Sequence, residues 1–352
     1  MNPIKNIQIA KKILHFKTPF KIAYEEVDSC EIIFIKIIDK NDLSGVGSAS
    51  IDTEVTGETV QAVFEELNKK LTPDFFEFPI NEWYKYHEKI QKTFEKMPSA
   101  QSAVEEAVLN LWEKITKIPL KDFFGNSRNE CDTMITIPIG NEKETIEDIK
   151  NRLNEGFKII KLKCGLNIEE DISRIKTAQK IIPETHKIVL DANQGYSLTD
   201  AEKLLSKLAN THVDIIEQPI DAKDMENLKH LHKTSKIPIV ADESVVSPRD
   251  ACNILLNDYA AGVNIKLMKC GGPINFLQIF LLAKNLNKIM MIGCMYESNT
   301  SITMGTNLAL GLPLDYVDLD SGHLDFPDDP AIGGAQVHNG KITLNKPLDL
   351  NL

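Results

Sequence analysis

The chain has 352 residues, a formal net charge of −11, and apolar and charged fractions of 42% and 26%. That length supports a large core in one big domain or two, and the acidic balance argues against a general nucleic-acid or anionic-membrane binder. Six scattered cysteines (Cys30, Cys131, Cys164, Cys252, Cys270 and Cys294) form no CxxC pair, so reduced thiols are expected rather than a zinc site or a disulfide framework.

Residues 1–16 mix Lys and Asn with apolar residues and lack the apolar run and small-residue cleavage site of a signal peptide. The most apolar stretch, 276–295, is interrupted by Lys284 and Lys288. A cytoplasmic protein is the expectation. Glu31–Asp39 (EIIFIKIID) is a β-branched, strand-like run, ending at a turn signal over 41–47. Helical stretches follow over 56–70 and 99–115. Strands followed by helices predict an α+β unit over residues 1–125, to which a tail at about 327–352 returns.

From Cys131 onward the rhythm changes. Runs at 134–140, 159–165, 187–193, 214–220, 237–244, 262–269, 288–295 and 315–320 read as strands. Helix-length segments such as 142–156, 169–182 and 198–209 separate them. Polar residues mark the strand ends: Thr136, Lys161 or Lys163, Asp191, Glu217, Asp242, Lys266, the neighbourhood of Glu297, and Asp318. Their spacing of about 25 to 30 residues fits the βα repeat of a TIM-type barrel over 126–326. An open doubly wound sheet fits less well, because no GxGxxG follows a first strand. Barrel chemistry sits where the strands end, which is where these polar residues fall.

Asp191 (VLDAN), Glu217 (IIEQP) and Asp242 (VADES) each close an apolar run. A buried acid costs several kcal/mol unless it is paired or bound to metal. Three on adjacent strands converge on one point, and hard oxygen donors of this kind suit magnesium. The plainer alternative makes them solvated strand-end acids or caps of the following helices. Lys161 and Lys163 form a KxK pair whose alternation puts both on one strand face. Lys266 ends another strand well round the ring. Crowding with a metal is expected to lower the lysine pKa values toward the range of a general base. Lysines on two sides of one α-carbon can remove a proton from one face and deliver one to the other, as a racemase or epimerase requires.

The order KxK, DxN, ExP, DES and NIKLMKCGG closely resembles the enolase superfamily, in its muconate-lactonizing subgroup, across nearly the whole chain. The resemblance implies an α/β fold, a modified TIM barrel of (β/α)7β type, with an α+β N-terminal capping domain. It implies one magnesium ion per subunit on Asp191, Glu217 and Asp242, and Lys163 and Lys266 as the two acid/base lysines. Lys161 would help polarise the substrate carboxylate, and Asn193 and Gln218 would be supporting residues.

Within that subgroup the last strand discriminates. VDLDSG places Asp318 and Asp320 as a DxD pair similar to the signature of dipeptide epimerases, suited to the ammonium end of a dipeptide. The plainer reading is a turn-capping pair before Ser321-Gly322. The implied activity is L-Ala-D/L-Glu epimerisation in murein peptide recycling, at the residue whose carboxylate sits on the metal. A dipeptide epimerase of other side-chain specificity, cationic or hydrophobic, or a lyase or cycloisomerase such as an o-succinylbenzoate synthase, is the alternative on this scaffold; a non-catalytic barrel would not need all three lysines. Some relatives read the Glu side chain with an arginine in the capping loop. The stretch 18–29 has none, offering Lys21 and Tyr24 beside Glu25 and Glu26, and acids there suit a cationic side chain. The segment 48–59 is expected to help close over the substrate. Thr136, Met295, Glu297 and Ser298 are further candidate pocket residues. A homo-oligomer is expected, since such barrels often assemble, with a small-molecule dipeptide as partner and neither nucleic acid nor membrane.

Overall fold

The computed structural model describes residues 4–21 and 26–352. Strands β1 (Ile4–Lys21), β2 (Glu26–Asp39) and β3 (Ser44–Ser50) form an antiparallel sheet in that order. Alternation on β2 explains its unbroken apolar run. Ile33, Ile35 and Ile37 face the main core, while Ile32 and Phe34 face a second cluster that includes Leu348 and Leu350. The turn after β2 is tighter than the sequence predicts. The Asp39 carboxylate accepts the amides of Asn41 and Leu43 at 2.8 Å, so the strand resumes at Ser44.

Gly45 and Gly47, read from sequence as turn glycines, are therefore strand residues, and they permit close packing. A Cβ at Gly47 would lie 2.0 Å from the carbonyl oxygen of Ala103, and one at Gly45 2.1 Å from that of Ala107. Both carbonyls belong to the helix Pro98–Thr116, buried from Ser99 to Trp112. Gly47→Ala is expected to destabilise the protein by about 3 kcal/mol or more, since neither backbone can yield cheaply. A denaturation midpoint equal to wild type would contradict this contact.

Buried polar groups on that helix need partners, and the partners tie it both to β3 and to the later helices Pro273–Asn285 and Asn299–Gly311. Glu106 accepts the Ser48 amide (3.2 Å) and the Ser301 hydroxyl (2.9 Å), Asn110 accepts the Val46 amide (3.2 Å), and Glu105 accepts the Ile274 amide (2.9 Å).

After the short β4 (Cys131–Asp132) come eight parallel strands: β5 (Met134–Ile137), β6 (Ile159–Lys163), β7 (Lys187–Asp191), β8 (Val213–Glu217), β9 (Ile239–Ala241), β10 (Gly262–Lys266), β11 (Ile289–Gly293) and β12 (Tyr316–Val317). Each pairs with its sequence neighbour, and helices connect β5 through β12, giving the expected (β/α)7β barrel. Its interior is filled by Met134, Ile159, Val189, Ile215, Val240 and Met291. The seam between β12 and β5 is bridged through side chains. Thr136 donates its amide to Asp320 Oδ2 at 2.8 Å, and Leu319 donates its amide to Thr133 Oγ1 at 3.1 Å. Strands β13 (Ala331–His338) and β14 (Lys341–Leu350) pair with each other, and β14 also pairs with β4. Among the described residues no helix is long and apolar enough to cross a membrane.

Candidate active site

Register brings the candidate residues together. Lys163 lies opposite Asp191, and Asp191 opposite Glu217, across β6, β7 and β8. Glu217 lies opposite Val240, and Asp242 follows two residues later, so side-chain alternation returns it to the same inward face. Ile159, Lys161 and Lys163 share the inward face of β6, with the apolar barrel interior beneath the two lysines. None of the three acids caps the following helix. Those caps are Ser197, Asp224 and Ser247, which accept amides of the first turn. The plainer reading of the acids as caps is thereby removed.

The acids are buried and surrounded by ammonium groups. Lys161 Nζ lies 2.9 Å from Asp191 Oδ2, 2.9 Å from Glu217 Oε2 and 2.7 Å from Asp318 Oδ2. Lys163 Nζ lies 2.8 Å from Asp191 and 2.9 Å from Asn193 Oδ1. Lys266 Nζ lies 3.0 Å from Asp242 Oδ2, while Lys269 bonds the other oxygen of Asp242 and donates to its carbonyl at 2.6 Å.

Charge balance sets the protonation of this ring. Burial alone would raise Asp191 and Asp242, yet Lys161 and Lys163 hold the first, and Lys266 and Lys269 the second, below the usual carboxylate range. Glu217 goes the other way, raised to about 8 by burial and by Asp191. Burial would depress Lys161 and Lys266, but the carboxylates outweigh it and hold both above their ordinary value. Lys161 and Lys266 stand among carboxylates whose attraction exceeds the cost of burial.

The donor set fits magnesium: three buried carboxylates from adjacent strands, with Glu217 Oε2 lacking a well-formed hydrogen bond. Among the described residues no three acids stand in ready-made ion-holding geometry, and ammonium groups lie against their oxygens. Asp191, Glu217 and Asp242 would hold the ion.

Above the ring a cavity of about 880 Å³ opens between the barrel rim and the N-terminal layer. Lys161, Lys163, Lys266, Thr136, Met295, Asp318 and Asp320 line it, together with Ser50, Ile51 and Asp52 from the segment expected to cover the substrate. Asp318 keeps one oxygen without a hydrogen bond, and Asp320 is half engaged by the Thr136 amide.

Glu297 and Ser298 are corrected: neither lines the cavity. Ser298 turns away to cap the helix Asn299–Gly311 and to meet Asp329 at 2.9 Å. Glu297 folds back onto the Met295 amide at 2.9 Å. Tyr24 lies outside the described residues. Gln218 accepts the amides of Asp242 (3.0 Å) and Ser244 (3.1 Å), and Asn193 links Lys163 to Glu243 (2.9 Å).

Sequence reading missed Glu243, Asn264 and Lys269. Asn264 donates to Glu217 Oε1 at 2.6 Å; its place two residues before Lys266, on the same strand face, was the signal. Lys269 carries no such signal, because it lies on the short helix after β10.

The mandelate racemase / muconate lactonizing enzyme N-terminal domain family matches residues 4–125, and the enolase C-terminal domain-like family matches residues 144–347. An L-Lys-D/L-Arg epimerase of Desulforapulum autotrophicum is 35% identical over 96% of this chain and 95% of its own. An L-Ala-D/L-Glu epimerase of Clostridium acetobutylicum is 33% identical over 97% of this chain and 96% of its own. A dipeptide epimerase from Enterococcus faecalis V583, solved with Mg and L-Leu-L-Tyr, superposes with a TM-score of 0.92 at 28% identity, over 99% of this chain and 98% of that one.

Proposed function

The chain belongs to the mandelate racemase/muconate lactonizing enzyme family of the enolase superfamily, and from that premise we propose that it is a dipeptide epimerase, inverting the α-carbon of the C-terminal residue. One observation carries the proposal: Lys163 and Lys266 line one cavity from strands four places apart in a ring of eight. Amino groups so placed face a bound α-carbon from opposite sides. The lysine that stands as the neutral amine takes the α-proton, and the other, as an ammonium, gives a proton to the opposite face. Lys161 holds the carboxylate next to that carbon. Magnesium, when bound, supplies positive charge to the oxygens on which negative charge develops. Asp318 and Asp320 receive the ammonium end of the substrate, which supports a dipeptide over acyl-amino-acid or cycloisomerase substrates.

A specific observation bears on the side chains. L-Ala-D/L-Glu epimerisation, the expectation from sequence, calls for a cation or hydrogen-bond donors at the glutamate side chain. Apart from the ring, Glu243, Asp318 and Asp320, the described lining carries Glu31, Asp52, Glu54 and Asp148, with Asp325 raised to about 7 by burial, against Lys17, while Arg152 and Glu155 pair with each other at 2.9 Å. This balance favours a substrate with a cationic side chain. With Mg2+ in D2O, α-proton exchange and appearance of the D epimer are expected, with L-Lys-L-Arg turned over at higher kcat/KM than L-Ala-L-Glu. The reverse ranking would restore the Ala-Glu reading. No exchange with any member of an L,L-dipeptide panel would sink the dipeptide reading.

A further inference from the structure

We infer that Asp171, Arg174 and Tyr196 form a positioning clamp for Lys163, so that the two proton-transfer faces of the site are supported by different parts of the fold. β6 ends at Lys163, and a short turn through Gly165 leads into the helix Ile168–Ile181. Asp171 and Arg174, in the early turns of that helix, form a buried ion pair at 2.9 Å. Arg174 also donates to the carbonyl oxygen of Lys163 itself. Asp171 Oδ2 accepts the Gly165 amide at 2.9 Å and the Tyr196 hydroxyl at 2.7 Å. Tyr196 is anchored in turn by its amide on the Pro219 carbonyl, 3.2 Å away. On the other side of this turn the Cys164 amide donates to the Asp191 carbonyl at 2.8 Å. Gly165, at φ +112°, packs so closely that a Cβ would lie 2.4 Å from the Ala192 carbonyl oxygen. The backbone immediately after Lys163 is thus gripped from both sides.

None of the three clamp residues lines the cavity, so none touches the substrate. Packing alone does not call for them either. Apolar side chains of similar volume serve a helix–strand contact without the desolvation cost of a buried ion pair. What the pair adds is direction, because a guanidinium bonded to one carbonyl fixes the strand end that aims the Lys163 ammonium group. Lys266 is held differently. The chain passes straight from it into the short helix Leu267–Cys270, and its ammonium group rests on Asp242. Loosening the clamp therefore misaims one lysine and leaves the other in place.

The inference rests on the two-lysine reading proposed above. Its test follows α-proton loss in D2O by NMR, starting separately from each epimer of a turned-over dipeptide, in Arg174→Met, Arg174→Lys and Tyr196→Phe. Each epimer presents its proton to one lysine. A misplacement of about 1 Å costs about 10²-fold in rate, so Arg174→Met is expected to slow exchange from one epimer by about that factor. The affected epimer is the one whose exchange Lys163→Ala abolishes; exchange from the other stays within about twofold of wild type. Arg174→Lys restores part of the loss. Tyr196→Phe, which removes one hydroxyl and keeps the packing, gives the same asymmetry at about tenfold. Equal slowing of both epimers, or no slowing in Tyr196→Phe, overturns the clamp. Wild-type protein that exchanges neither epimer overturns the epimerase reading instead, so the two failures are distinct.

Discussion

Lys266→Ala is expected to stop epimerisation while sparing α-proton exchange from one epimer. Inversion needs a base on one face and an acid on the other, and Lys266 sits four strands from Lys163 in a ring of eight. General acid–base groups contribute about 10² to 10⁴ in rate, and nearby Lys269 is fully buried and bonded to Asp242. Formation of the D epimer, measured by chiral chromatography, is therefore expected to fall by about 10² to 10⁴-fold. Undiminished inversion in this variant would contradict the two-lysine mechanism at its centre.

Asp242→Asn is expected to lose both the metal and a substantial part of the stability. Asp242 faces two buried or nearly buried ammonium groups, those of Lys266 and Lys269. Neutralising it leaves those charges without their partner, a change that typically costs about 3 to 5 kcal/mol. The lysines hold Asp242 below the usual carboxylate range, so its contribution is present above the ordinary carboxylate pKa and lost only as pH falls toward the folded value. A comparison at neutral pH thus captures it fully. Calorimetric titration with Mg2+ should show binding to wild type and none to the variant, and denaturant titration should show the lower midpoint. Magnesium binding equal to wild type would remove Asp242 from the ligand set.

The part of this site that could be read from sequence is the part that regular structure dictates. Lys163, Asp191 and Glu217 each end an apolar strand, and parallel pairing puts such ends side by side. Lys161 follows from period-two alternation. Asn193 and Gln218 came from the resemblance alone, because they reach their partners from positive φ, 40° and 33°. Glu243, which bonds Asn193, and Lys269, on the short helix after β10, escaped because no strand period places them, whereas Asn264 was overlooked despite sharing the strand face of Lys266. Ser298 and Glu297 were misassigned because a polar cluster after a strand looks the same in sequence whether it faces a ligand or starts a helix. In the N-terminal layer, β2 was legible from its isoleucines. β1 was not, because an edge strand carrying Lys5, Lys11, Lys12 and Lys17 lacks a clean apolar face. Gly45 and Gly47 were legible as glycines but not as contacts, since the helix that requires them lies more than fifty residues away.

The bridge between Thr136 and Asp320 constrains how this protein can change over generations. One carboxylate both fastens the wall of the barrel and faces the cavity. A substitution at position 320 that suits a new substrate alters the fastening as well, so two requirements are tested by a single replacement. Glu31, Glu54 and Asp148 face the cavity from outside the barrel strands and fasten no seam between them. Diversification of substrate range within this architecture is therefore channelled toward the cap and the outer rim, while the DxD position is held still by the wall it closes.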